Sequence, residues 1–142
     1  MNERDLSNCF GCGGNNPIGL HLKNIYIGDK AHIEFKVAAE YCGHPGILHG
    51  GITCILFDEV MFYAIFKLGI NVVTTNMEVD YESPALQDSI LVCEAFIDKR
   101  EGKNINVVAT IVDKDTNKLI ATSKGTYIEI DLDKFIKKAS IS

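Results

Sequence analysis

Two adjacent carboxylates, Asp58 and Glu59, sit inside the apolar run Ile55-Leu56-Phe57-Asp58-Glu59-Val60-Met61-Phe62-Tyr63. An ionised carboxylate in such surroundings is costly unless something offsets its desolvation. Groups of this kind are paired, solvent-facing or functional. The plainest reading makes both of them polar edge residues on one wet stripe of a helix. Adjacent side chains on a helix are about 100 degrees apart, however, so the two cannot point the same way. One is expected to face a cleft and the other a neighbour. Just upstream stands His49-Gly50-Gly51. A helix that starts there presents unpaired backbone N–H groups and the positive end of its dipole, and glycines let a ligand come close to that backbone. This is the chemistry of an oxyanion site. With the helix starting near Gly50, Asp58 lies two turns further on, about 12 Å along the axis, too far to touch the same atom.

These groups need elements to hold them. The stretch from Gly50 to Gly69 is about five turns long if helical, with Lys67 near its end and Gly69 as a stop signal. It is apolar on nearly every face, which suits a helix that is surrounded. Its length approaches that of a bilayer span, but two acids in the middle and strand-like sequence on both sides favour a buried helix. Around it the pattern has period two. Leu20-His21-Leu22 and Ile33-Glu34-Phe35-Lys36-Val37 alternate as half-buried strands do, with Gly28-Asp29 as a hairpin turn between them. Four further runs follow: Val72 to Tyr81, Ser89 to Lys99, Ile105 to Val112 and Leu119 to Ile130. Pro84, Glu101-Gly102-Lys103-Asn104 and Lys114-Asp115-Thr116-Asn117-Lys118 punctuate them. Two strands, one long helix and four strands predict an α+β fold, an antiparallel sheet of about six strands curved around a central helix. Residues 1–17, crowded with Gly and Asn, read as an irregular lead-in, 18–131 as the folded domain and 132–142 as a tail.

The stretch from His49 to Glu59 resembles the signature of the hotdog-fold acyl-CoA thioesterases, of the phenylacetyl-CoA and 4-hydroxybenzoyl-CoA type. Cys9-Phe10-Gly11-Cys12-Gly13 with Asn16-Pro17-Ile18-Gly19-Leu20 is similar to the N-terminal motif of one branch of that superfamily. Thr74 through Tyr81 to Ser83-Pro84 looks like the strand after its helix. The resemblance covers most of the chain, and the three blocks in order are a stronger signal than any one of them. The resemblance implies that Asp58, nine residues after the motif His, acts as nucleophile or as general base on water, and that the Gly50 amide polarises the thioester carbonyl. His49 would shape the turn and steady the thioester. Thr74 falls where related enzymes place a hydroxyl residue from the opposing subunit, near the attacking water. Gly51, Glu59 and His44 are expected around the substrate. Spacing and resemblance together imply a shared site, in which a carbonyl held at one protomer's helix start meets the acid of a second protomer. Some relatives carry a polar amide six positions before the motif His; Gly43 stands there in this chain, so any role of that amide is lost, and His44 lies beside it. The chemistry is coherent, because thioester hydrolysis develops negative charge on oxygen that helix-start amides can stabilise, while a carboxylate serves as base or covalent partner.

Two other classes compete. His44 stands fourteen residues before Asp58, as in hotdog-fold hydratases and dehydratases, although the rest of their motif is absent. A non-catalytic acyl-thioester binder would use the same cleft, but mere binding gains nothing from burying an acid. Cys9-x-x-Cys12 could be half of a zinc site, yet a structural site needs four ligands, and Cys42, Cys54, His44 and His21 are not spaced as a second pair. No metal and no tightly bound cofactor is expected; coenzyme A or an acyl carrier would be part of the substrate. Cys54 and Cys93 read as small buried residues, and His21 and His32 as solvent-facing on the polar phase of strands. Met61, Phe62, Tyr63 and Phe66 read as core, with one or two in the acyl tunnel if the site lies between protomers.

With 142 residues and 46% hydrophobic content the chain can close one core without staples. A net charge of -5 with no basic stripe excludes nucleic acid and an anionic membrane surface as partners. Five cysteines, an odd number, with no charged-then-apolar leader, point to a reducing compartment, the cytoplasm. The chain is therefore expected to hydrolyse an acyl-CoA or acyl-carrier thioester. It is expected to do so as a homodimer at minimum, with a homotetramer as the larger form and sheets joined edge to edge.

Overall fold

The computed structural model describes residues 5–141; residues 1–4 of the expected lead-in and residue 142 of the expected tail lie outside the described residues. Helix α1 spans Gly50–Phe66 and follows from a capped start and a long apolar run that Asp58 and Glu59 interrupt. His49 has extended dihedrals (φ -61°, ψ 131°) and its side chain accepts the Gly51 N–H, which satisfies one of the orphan donors of the first turn. At the other end Lys67 is the C-cap and Gly69 takes φ 73°, a left-handed conformation that a side chain would strain. Thr53, Leu56, Phe57, Val60, Met61, Ala64 and Ile65 are buried, three and four residues apart, so they form one continuous face. Each fully buried Leu, Ile, Val, Phe or Met there contributes roughly 1.5–3 kcal/mol of gross hydrophobic stabilisation.

That face rests on a six-stranded antiparallel sheet. Its strands are β1 (Ile25–Ile27), β2 (Lys30–Lys36), β3 (Val72–Tyr81), β4 (Ile90–Glu101), β5 (Asn104–Asp113) and β6 (Leu119–Glu129). Their spatial order is β1-β2-β4-β5-β6-β3. Period-two patterning decides which side chains turn inward: Ala31, Ile33 and Phe35 on β2, Leu91, Cys93 and Ala95 on β4, and Ile105, Val107, Ala109 and Ile111 on β5 are all buried. On β6, Gly125 lets the helix approach bare backbone, since a Cβ there would stand 3.0 Å from Met61 Cε. The α+β hotdog arrangement implied by the resemblance is the one observed. Among the described residues no helix is long and apolar enough to cross a membrane.

The structure departs from the sequence reading at several places. The first strand is Ile25–Ile27, not Leu20 to Leu22. The amides of Leu20 and Leu22 bond instead to the carbonyls of Phe10 and Gly11, both at 2.9 Å, so that alternation serves to pack a loop. The β4–β5 connection is tighter than the expected four residues, because Glu101 and Asn104 already pair across Gly102-Lys103. Residues Leu132–Ile141 form a second helix, α2. His32, expected to face solvent, is buried, with Nδ1 3.2 Å from the Glu94 carboxylate and Nε2 3.5 Å from that of Glu34. Long neighbours on the outer sheet face cover it, which a single strand's pattern does not reveal. Cys54 is half-buried rather than buried and lies 3.3 Å from the Tyr81 hydroxyl.

Candidate active site

Asp58 projects from the middle of α1 toward the seam between β3 and β6. Its Oδ1 accepts two hydroxyl hydrogen bonds, from Thr74 Oγ1 on β3 at 2.8 Å and from Tyr127 on β6 at 2.8 Å. Strand register explains the convergence, since Thr74 and Tyr127 are directly paired. The ladder then slips between Thr74 and Asn76, a bulge of the kind that re-aims a side chain. Tyr127 is 1% exposed, and burial together with the neighbouring Asp58 charge pushes its phenol well above the ordinary range. It is therefore a fixed, protonated donor. Both donors bind the same oxygen, and among the described residues no donor reaches Asp58 Oδ2. The cleft around the acid is lined by Leu6, Cys9, Phe62, Val72 and Val73 along with Asp58, Thr74 and Tyr127, and encloses about 290 Å³. Ligand pockets run to roughly 300–1,000 Å³, so this cleft has room for a reacting group but not for a whole acyl-CoA.

The start of α1 offers a different kind of chemistry. The Gly51 N–H is occupied by His49 Nδ1 at 2.9 Å, and the Ile52 and Thr53 amides turn back to the His49 carbonyl. The Gly50 N–H is the remaining donor of the first turn, with no acceptor among the described residues. Because His49 Nδ1 accepts, the imidazole proton in its neutral form sits on Nε2. Gly43, the position of the lost amide, packs under this ring, 3.2 Å from its Cδ2 to a Cβ built there. Tyr81 reaches over from the end of β3 and donates its hydroxyl to the Gly50 carbonyl at 2.8 Å. Burial pushes that phenol up to about 12. The groove beside Gly50 is lined by residues such as Leu48, Thr53, Tyr81, Pro84 and Ala85. None of its lining residues belongs to the Asp58 cleft, so one chain carries the acid and the free amide in two separate places.

A family model described as Thioesterase superfamily matches residues 45–120, the segment that contains α1, β3, β4 and β5. The chain belongs to that superfamily. It is 33% identical over 92 residues to acyl-coenzyme A thioesterase THEM4 of Rattus norvegicus, covering 65% of this chain and 40% of that protein. It is also 33% identical over 100 residues to acyl-coenzyme A thioesterase 13 of Homo sapiens, covering 68% of this chain and 71% of that protein. The crystal structure of thioesterase superfamily member 2 from Mus musculus superimposes with a TM-score of 0.71 at 26% identity, over 85% of this chain and 94% of that one. The match thus spans well under half the length of the rat relative and about seven tenths of the human one.

Within this thioesterase-superfamily chain the remaining expected site residues are scattered. Glu59 points away from Thr74 and Tyr127 toward the N-terminal loop, where its Oε1 accepts from the Cys9 thiol at 3.4 Å. Burial pushes its carboxyl above the ordinary carboxylate range. Glu59 nevertheless borders the Asp58 cleft, as does the half-buried Phe62. His44 lies in the exposed turn before Gly46, in neither the Asp58 cleft nor the Gly50 groove. Tyr127 and Tyr81 are the residues that the sequence reading missed. Tyr127 continues the inward phase of Ser123 and Gly125 on β6, a signal that reads as core packing until the pairing of β6 with β3 is known.

Proposed function

We propose that the protein hydrolyses an acyl-CoA thioester at a site completed by two protomers, with Asp58 of one facing the Gly50 amide of the other. The observation that carries this reading is the double hydroxyl clamp on Asp58 Oδ1, which orients the carboxylate and leaves Oδ2 to act. In the hydrolytic step Oδ2 takes a proton from water as the water oxygen attacks the carbonyl carbon. Negative charge then develops on the carbonyl oxygen, where the Gly50 N–H and the dipole of α1 stabilise it. Collapse of the intermediate breaks the C–S bond, and the proton held by Asp58 leaves with the thiolate. Direct attack by Oδ2 uses the same groups: it expels the thiolate by breaking the C–S bond and forms an acyl anhydride, which water then opens to release the free acid and restore the Asp58 carboxylate. His49 holds the turn and Gly51 contributes a surface without a side chain; no chemical step is given to His44 or Glu59.

The rat and human relatives are acyl-coenzyme A thioesterases by name, which supports acyl-CoA as the substrate class. A homodimer is supported by β3, which among the described residues pairs with β6 alone and leaves a ten-residue edge open to a second copy. Joining two such edges would bring α1 of each protomer toward the other; a homotetramer is the larger form to test. The five cysteines are free thiols, in keeping with the reducing cytoplasm as the compartment.

The test is a panel of short, medium, long and aromatic acyl-CoAs incubated with wild type and with Asp58→Asn, free CoA being followed by mass spectrometry. Release that falls at least about 100-fold in the variant establishes reaction and residue together. No release from any substrate, with thermal stabilisation on adding acyl-CoA, would replace the hydrolase by a binder. A stable monomer in sedimentation would sink the shared site.

A further inference from the structure

Glu59 is held in a way that the hydrolytic reading does not use. Its Oε2 is buried with no hydrogen-bond partner, and Gly11 packs so closely that a side chain there would overlap the carboxylate. The loop that supplies Gly11 also supplies Cys9 and Cys12, and ligand atoms from these two cysteines and Glu59 all lie within 4.8 Å of one another. We propose that Cys9, Cys12 and Glu59 form a binding site for a thiophilic divalent cation, zinc foremost.

Three observations converge on this. The C-x-x-C spacing, closed by the Gly13 amide bonding back to the Cys9 carbonyl at 2.8 Å, is the local form that presents two thiolates to one ion. Zinc–sulfur and zinc–oxygen bonds of about 2.3 and 2.0 Å in a tetrahedron put the donor atoms roughly 3.5–3.8 Å apart. The Cys9 thiol and Glu59 Oε1 already stand at 3.4 Å, and Cys12 Sγ is within 4.8 Å of its two neighbours in the cluster. A buried carboxylate oxygen without a donor is uncommon and costly, and a cation supplies what the protein leaves out. Binding releases both thiol protons, so the ion exchanges two S–H bonds for two metal–sulfur bonds. The fourth position falls to water or to the Tyr63 hydroxyl, which lies 3.0 Å from Cys12 Sγ.

Cysteine and histidine spacing alone speaks against zinc, because it offers no second pair of ligands. The third ligand comes instead from α1, one residue past Asp58, and is visible only in the fold. Because Leu6, Cys9 and Glu59 all line the Asp58 cleft, the ion would fasten one wall of that cleft to the helix that carries the acid.

The experiment strips the full chain with a chelator under reducing conditions and titrates it with cobalt(II), then with zinc. The expected result is a thiolate-to-cobalt charge-transfer band that saturates at about one ion per chain and is displaced by zinc. Cys9→Ser and Cys12→Ser should each lose most of the band, and Glu59→Gln should weaken affinity by at least about 100-fold, the upper end of what losing even an outer-shell partner costs. Cys42→Ser, outside the cluster, should keep both band and affinity. A wild-type chain with no charge-transfer band overturns the site, whatever the variants do. So does a band that survives in both cysteine variants. If either cysteine variant fails to fold, the wild-type stoichiometry and Glu59→Gln decide: unchanged affinity in Glu59→Gln overturns the three-ligand site.

Discussion

Asp58 and Glu59 are neighbours in the chain, carry the same functional group and sit on the same turn of α1, yet the fold gives them opposite surroundings. Asp58 meets two hydroxyl donors from β3 and β6 and stays open to a cleft. Glu59 meets a thiol and an overlying glycine loop, with one oxygen left bare. The angular step of a helix sends them to different partners, and the partners decide the chemistry. Hydroxyl donors orient a carboxylate without neutralising it, which suits a base or nucleophile. Thiols beside a buried carboxylate suit a cation.

Removing each acid in turn tests this contrast most severely. Asp58→Asn is expected to lower kcat by about 100-fold or more with an unchanged circular dichroism spectrum, whereas Glu59→Gln should cost less than about 10-fold, well short of any loss expected from an acid–base group. Equal losses would mean that the two acids act as one unit. Next in size is Gly50→Pro, which deletes the free amide at the first helical position, where proline is tolerated and where the extended His49 can precede it. A drop of about 100-fold in kcat with little change in melting temperature is expected, and full activity would remove the amide from the mechanism. Tyr127→Phe takes away one of the two clamps on Asp58. Its kcat should fall by about 10-fold and its stability, by urea unfolding, by about 1 kcal/mol, as for one hydrogen bond. The smallest effect on kcat belongs to the Glu59 side: Gly11→Ala pushes the carboxylate aside and should keep most of kcat while costing about 1–2 kcal/mol of stability.

Local chemistry alone makes α1 and β3 legible in the amino-acid sequence. The glycines after His49 announce the helix start, Gly69 its end, and the run from Val72 to Tyr81 coincides with β3. Asp58 stands out because an acid in an apolar run has few inexpensive explanations. What stays hidden depends on contacts between distant segments. Tyr127 reaches Asp58 only because β6 lies beside β3, and Glu59 reaches Cys9 only because the lead-in folds back over α1. His32 is misread for the same reason, since Glu94 covers it from the adjacent strand. Leu20 to Leu22 misleads in the opposite direction, because period-two alternation also serves a loop that packs one side inward.

The separation of the Gly50 groove from the Asp58 cleft has a genetic reading. If each working site draws its amide from one chain and its acid from the other, two inactive proteins can repair each other. A chain carrying Asp58→Asn, co-expressed with one carrying Gly50→Pro, forms mixed dimers in which one site holds both intact groups and the other holds neither. Random pairing of equal amounts would then restore about a quarter of wild-type turnover, although neither parent has any to spare.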